Sequence, residues 1–260
     1  MLSVESSPAA DTSANGEARS TGVGPAFGAK RAIWIVFVFI VRTLCLAAAL
    51  GTALQLFELV RFQKLQPRAL GTSAALGSVA MLVAGAYAYR MTRRSFAVEA
   101  SDEFKRTLGL CAVTWRTIAL AVLAGVALCM LNVFCLMHFP PPPAEKFTAL
   151  VAASAEAGWP RCWWTFYVVC VTPVTEEFVF RGVLFAGLLR STSLAFAACM
   201  TPLVFMLLHV WGLTIYPPAL ALILLLGAAA QLARILSASL LPSIVVHLSY
   251  NLGCAILVHA

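Results

Sequence analysis

The sequence predicts an all-α fold, a polytopic transmembrane bundle of about seven membrane helices. Three observations carry this reading. Of 260 residues, 61% are hydrophobic and only 11% are charged, whereas soluble domains carry roughly 25% charged residues. The mean hydropathy is +0.90. The apolar residues also gather in runs of about 20, the length at which a helix crosses a bilayer. Those runs cover residues 33–57, 69–89, 110–138, 162–189, 193–211, 217–234 and 239–258.

In chain order, residues 1–31 read as a disordered N-terminal tail, rich in Ser, Ala, Gly and Thr and without apolar periodicity. Lys30-Arg31 lead into the first run, which extends to about Phe57. That is too long for the core of a cleaved secretory signal, so an uncleaved signal-anchor helix is expected. Arg42 lies inside this run and Trp115-Arg116 near the start of the third. Arginines near helix ends can snorkel to the interface. Pro140-Pro141-Pro142-Pro143 cannot continue a helix, and residues 145–157 then read as a short interfacial helix. The chain divides into the tail, an N-terminal set of helices with the interfacial segment over residues 32–161, and a C-terminal core over 162–258. No internal repeat is evident.

The net charge of +7 is small for a nucleic-acid binder, and Lys and Arg sit between apolar runs. That pattern fits lipid head groups, not nucleic acid. Arg90, Arg93, Arg94, Lys105 and Arg106 fall in one loop, which the positive-inside rule places in the cytoplasm together with Arg190 and Arg234. Arg61, Lys64 and Arg68 run against this assignment, which puts the N-terminus inside. The eight cysteines form no CxxC pair and lie mostly in apolar runs. They are expected to be inert packing residues, with no disulfide framework and no thiolate zinc site.

The run Glu176-Glu177-Phe178-Val179-Phe180-Arg181 stands inside the fourth apolar segment. Charges at hydrocarbon depth are retained where they line a polar cavity and have a task. Glu177 and Arg181 are spaced i,i+4 with the acid first, the favoured order for an ion pair. Glu176 is turned away by about 100° and lacks an intrahelical partner, which makes it the candidate general base. Pro173, just before it, kinks the helix and opens room beside the carboxylate or serves packing. Phe205 and His209 share a helical face, as do His247 and Asn251. Counted at 1.5 Å per residue from their helix ends, Glu176, His209 and His247 lie at roughly one depth, about 20–24 Å in. His138 and His259 lack a partner motif and read as interface residues.

Glu176-Glu177-x-x-x-Arg181, Phe205-x-x-x-His209 and His247-x-x-x-Asn251 resemble the three motifs of the CPBP intramembrane proteases. That family includes the CAAX prenyl endoproteases of the Ras-converting type. The resemblance covers about residues 162–258, including Ser239-Leu240-Leu241-Pro242 ahead of the last motif. One departure is plain: Val210-Trp211-Gly212 follows His209 where eukaryotic members often carry further histidines. The resemblance implies a helix bundle with a cavity open to membrane and cytosol. It implies an endopeptidase that removes the C-terminal tripeptide of prenylated CaaX proteins, with such proteins and the lipid bilayer as partners. Carried onto this chain, Glu176 and His209 activate water, while His247 and Asn251 bind the oxyanion.

The bare residue chemistry leaves alternatives open. Glu176, His209 and His247 would also serve as a His₂Glu zinc set, although the chain has no HExxH run; no metal or other cofactor is expected to be required. A relative cleaving another membrane or peptide-maturation substrate is a second reading. A proton-coupled transporter using the same three residues as a relay is a third. The long low-complexity tail points to a eukaryotic chain, and with it to the endoplasmic reticulum membrane.

Overall fold

In an apolar solvent each backbone N–H and C=O must be satisfied within the chain, so long apolar runs become helices. The computed structural model describes residues 27–62, 70–97, 100–140, 158–210 and 216–259, and among them there is no strand. The helices are α1 (Ala29–Phe62), α2 (Leu70–Arg93), α3 (Ser101–Leu108), α4 (Trp115–His138), α5 (residues 159–189), α6 (Leu194–Leu207), α7 (Pro217–Ser237) and α8 (Leu240–His259). Five of the expected spans, in α1, α2, α4, α7 and α8, are long and apolar enough to cross a membrane.

The other two differ for physical reasons. α5 is long but carries its charges inside, and two wider π turns interrupt it, Tyr167–Val171 and Phe178–Leu184. Trp159 and Trp163 are exposed at its start and Arg190 follows its end, as for a helix anchored at both interfaces. α6 has only 14 residues, about 21 Å of rise against a hydrocarbon core of roughly 30 Å. The expected span 193–211 therefore stops early, at Leu207. The cause is local. The His209 ring takes the Phe205 carbonyl at 2.7 Å, which its own backbone N–H would take in a continuing helix, and that N–H turns to Met206 O at 2.9 Å.

The basic segment read as a loop between the second and third spans contains α3. Phe104 and Leu108, one turn apart, are its buried face. Asp102 and Glu103 in its first turn and Lys105 and Arg106 in its last suit the helix dipole. Phe27 is also buried, with its ring 5.4 Å from that of Phe96, so packing reaches into what reads as tail. Arg42 stacks over the Tyr87 ring at 3.6 Å instead of merely snorkelling. Arg116 does lie at a helix start, where Thr114 caps α4. All eight cysteines are free, but Cys45, Cys111, Cys162 and Cys199 are exposed, so half of them are not the buried packing residues expected. The apolar surface of a membrane bundle accepts a thiol as readily as the core does. The interfacial helix expected at 145–157, the tail up to residue 26, and Lys64 and Arg68 lie outside the described residues.

α5 is the central element, touched by α1, α2, α3, α6, α7 and α8. Ile35, Leu108, Val179, Val183 and Phe205 are fully buried around it. α4 leans on α7 and α8 and turns Leu120, Leu123, Met130 and Met137 outward, as a lipid-facing helix does. Its approach to α8 is set by Gly125, where a Cβ would lie 2.5 Å from Val246 O and 2.6 Å from Ser249 Cβ. Gly125→Leu should therefore push α4 off α8 and lower stability by about 1–3 kcal/mol, read as a lower thermal unfolding midpoint. An unchanged midpoint would contradict this close packing.

Candidate active site

The π turn after Glu177 does not break the expected ion pair. Arg181 Nη1 donates to Glu177 Oε1 at 3.0 Å, and both side chains are 0% exposed. The same oxygen accepts a second hydrogen bond, from His247 Nδ1 at 2.9 Å. Arg181 Nη2 donates to Gly227 O at 2.8 Å. One carboxylate thus ties α5 to α8, while its arginine ties α5 to α7. Gly227 permits this, because a Cβ there would stand 3.3 Å from Arg181 Nη2 and 3.2 Å from Pro202 Cβ. Residue spacing identified the Glu177–Arg181 pair but missed His247 and Gly227 as its partners. No local pattern links residues so far apart in sequence.

Both histidines are fixed through Nδ1. A carbonyl and a carboxylate only accept, so Nδ1 carries the proton in His209, facing Phe205 O, and in His247, facing Glu177. In the neutral rings this leaves Nε2 with its lone pair, a proton acceptor. Phe205 holds the two rings in place. It is 1% exposed, its centroid lies 4.7 Å from that of His209 and 5.8 Å from that of His247, and the Arg181 guanidinium covers it at 4.6 Å. The first residue of the Phe205-x-x-x-His209 motif is therefore the packing centre of the site.

Glu176 is the unengaged acid. No described group hydrogen-bonds to its carboxylate, and its Oε2 is enclosed. It interacts electrostatically with His247, His209, Glu177 and Arg181. The structure thus gathers Glu176, Glu177, Arg181, His209 and His247. His138 stands apart at the exposed end of α4, stacked on Phe134.

Asn251 has a partner that follows from Pro173. In the π turn Thr172 N–H bonds back to Tyr167 O. The next bond in that pattern would run from residue 173 to Val168 O, but proline has no N–H. Asn251 Nδ2 donates to the freed Val168 carbonyl at 2.8 Å. Pro173 thus creates the acceptor that docks α8, beyond any kink it imposes. One Asn251 N–H remains for another acceptor.

Among the described residues no three His, Cys, Asp or Glu side chains are grouped so as to hold an ion.

A bundle of long apolar helices with two glutamates, an arginine and two imidazoles gathered inside it defines a class: an integral, multi-pass membrane protein with a polar site enclosed by its helices. Residues 157–253, which span α5 to α8 up to Gly253, match the family described as Rce1-like, type II CAAX prenyl endopeptidase. The core is thus similar to CAAX-type intramembrane proteases. No match is found among curated proteins or among solved structures.

The Pro173 account has a direct test. Pro173→Ala restores an N–H that competes with Asn251 for Val168 O. Turnover should fall by about tenfold or more, roughly 1.4 kcal/mol in the barrier, with little change in the thermal unfolding midpoint. Full activity in this variant would show that the Asn251–Val168 bond does not matter for the site.

Proposed function

We propose that the protein is an intramembrane endopeptidase that removes the C-terminal tripeptide from prenylated CaaX proteins. The observation that carries this reading is the division of the acidic pair. Glu177 is consumed by Arg181 and His247, while Glu176 has an enclosed Oε2 and no hydrogen-bond partner among the described residues, beside two oriented imidazoles. A carboxylate in that condition can take a proton from water. The match of residues 157–253 supports the substrate class.

In the proposed reaction, water sits between Glu176 and Nε2 of His209. Glu176 removes one of its protons as the oxygen attacks the carbonyl carbon of the prenylated cysteine itself. The carbonyl π electrons move to oxygen, and the oxyanion is met by His247 and the remaining N–H of Asn251. Because Nδ1 of His247 already donates to Glu177, its Nε2 can donate only from the imidazolium. The Glu177 carboxylate stabilises that form. Such donors typically contribute about 10²–10³ in kcat. Collapse breaks the C–N bond, and the proton held by Glu176 passes to the leaving amine. The products are a prenylcysteine carboxylate and a free tripeptide. This sequence needs no metal. Endoplasmic reticulum residence is part of the same proposal, for a eukaryotic chain.

A prenyl chain gains roughly 0.8 kcal/mol per buried CH₂ in an apolar phase, so a site within a membrane bundle collects substrates that a soluble protease meets rarely. Purified protein should cleave a farnesylated or geranylgeranylated CaaX peptide and leave the same peptide with a bare cysteine intact. Cleavage should persist under strong chelation. Equal cleavage of both peptides would overturn the substrate assignment. Loss on chelation, restored by stoichiometric Zn²⁺, would make Glu176, His209 and His247 metal ligands.

A further inference from the structure

Arg234 is a buried cation. It lies in the last turn of α7 and is 6% exposed. Its Nη2 donates to Thr107 O at 3.1 Å, and its enclosed Nε has no partner among the described residues. Among the described residues no carboxylate pairs with it. Burying an unpaired ion is costly, and a guanidinium does not escape by losing its proton. The position is nonetheless built for it. A Cβ at Gly109 would fall 2.5 Å from the Arg234 Cζ, and Gly109 has a φ of +74°, which favours glycine. The adjoining backbone is pinned by Leu240 N–H to Gly109 O and by Ser239 Oγ to Cys111 O, both at 2.7 Å.

Arg234 lines a cavity of about 510 Å³ between α3, α5, α6 and α7. Arg106 and Arg190 line it too. Arg190 is engaged by Glu103, and Lys105 pairs with Asp102. Three guanidinium groups against the Glu103 carboxylate leave two net positive charges. The rest of the wall is largely apolar, with Phe185 and Leu189 beside the arginines. The cavity sits at one end of the bundle, roughly 20 Å along α5 from Glu176. It adjoins α3, whose Phe104 and Leu108 pack into the bundle and whose charged residues face out, beside the basic segment that the positive-inside rule places at the membrane surface. Cationic forks beside an apolar wall at that level match an anionic head attached to an acyl chain, and arginine is suited to bidentate contact with phosphate.

We propose that this cavity binds the phosphate of a phospholipid headgroup at the membrane–water interface, with Arg234 and Arg106 as the donors. The site is distinct from the cleavage site and does not rest on the peptidase reading, since its test reads binding.

The full chain is purified in neutral detergent, and its thermal unfolding is followed with added phosphatidylglycerol, with diacylglycerol of the same chains, or with glycerol 3-phosphate. At ten times its Kd, phosphatidylglycerol should raise the midpoint by about 3–6 °C, and diacylglycerol should not. Arg234→Gln should abolish the shift. Arg106→Gln, on the exposed face of α3, should weaken binding about tenfold, and it decides the matter alone where Arg234→Gln fails to fold. Equal shifts with phosphatidylglycerol and diacylglycerol, or a wild-type response in Arg106→Gln, would overturn the proposal. A shift with glycerol 3-phosphate that matches the lipid's at equal concentration would overturn the lipid assignment in favour of a free phosphate.

Discussion

One oxygen atom, Oε1 of Glu177, receives both Arg181 and His247. Two opposite charges with no exposure to water are each expensive to bury, by several kcal/mol. They are tolerable together because each neutralises the other and because Gly227 O and His247 satisfy further donors and acceptors. This pair fixes where α7 and α8 sit against α5. It also sets the tautomer of His247 and, through the Arg181 guanidinium over Phe205, the surface against which His209 rests. Removing either charge would leave the other buried alone.

Around this pair the backbone departs from the ideal α-helix at points that each supply a polar group. The wide turn Tyr167–Val171 and Pro173 leave Val168 O for Asn251. At the end of α6 the His209 ring takes Phe205 O in place of the backbone. In a membrane, irregular backbone is tolerated only where protein or a cavity satisfies it, and here the satisfying groups are the residues of the proposed chemistry. Helix irregularity and site geometry are therefore two aspects of one arrangement.

Much of the architecture was legible because its signals are local. Runs of apolar residues announce α1, α2, α4, α7 and α8, and the i,i+4 spacing announces Glu177–Arg181. Three motifs point to Glu176, His209, His247 and Asn251. What was not legible depends on contacts between distant segments. The second partner of Glu177 lies on α8, and the partner of Asn251 is a carbonyl freed by a proline on α5. The early end of α6 is caused by a side chain competing with its own backbone, which apolarity cannot reveal. α3 was overlooked because a short helix with two buried residues reads as a charged loop. The burial of Arg234 follows from Gly109, a residue more than a hundred positions away.

The central claim is that adjacent glutamates have opposite duties, Glu177 holding the bundle and Glu176 acting on water. Glu176→Gln and Glu177→Gln, each nearly isosteric, separate them when turnover of a prenylated CaaX peptide and the thermal unfolding midpoint are measured side by side. Glu176→Gln should lose turnover by about 10² or more while keeping its midpoint. Glu177→Gln should lower the midpoint by about 10 °C, because it strands Arg181 at a cost of roughly 3–5 kcal/mol. A Glu176→Gln protein with wild-type turnover, or a Glu177→Gln protein with wild-type stability, would contradict the account.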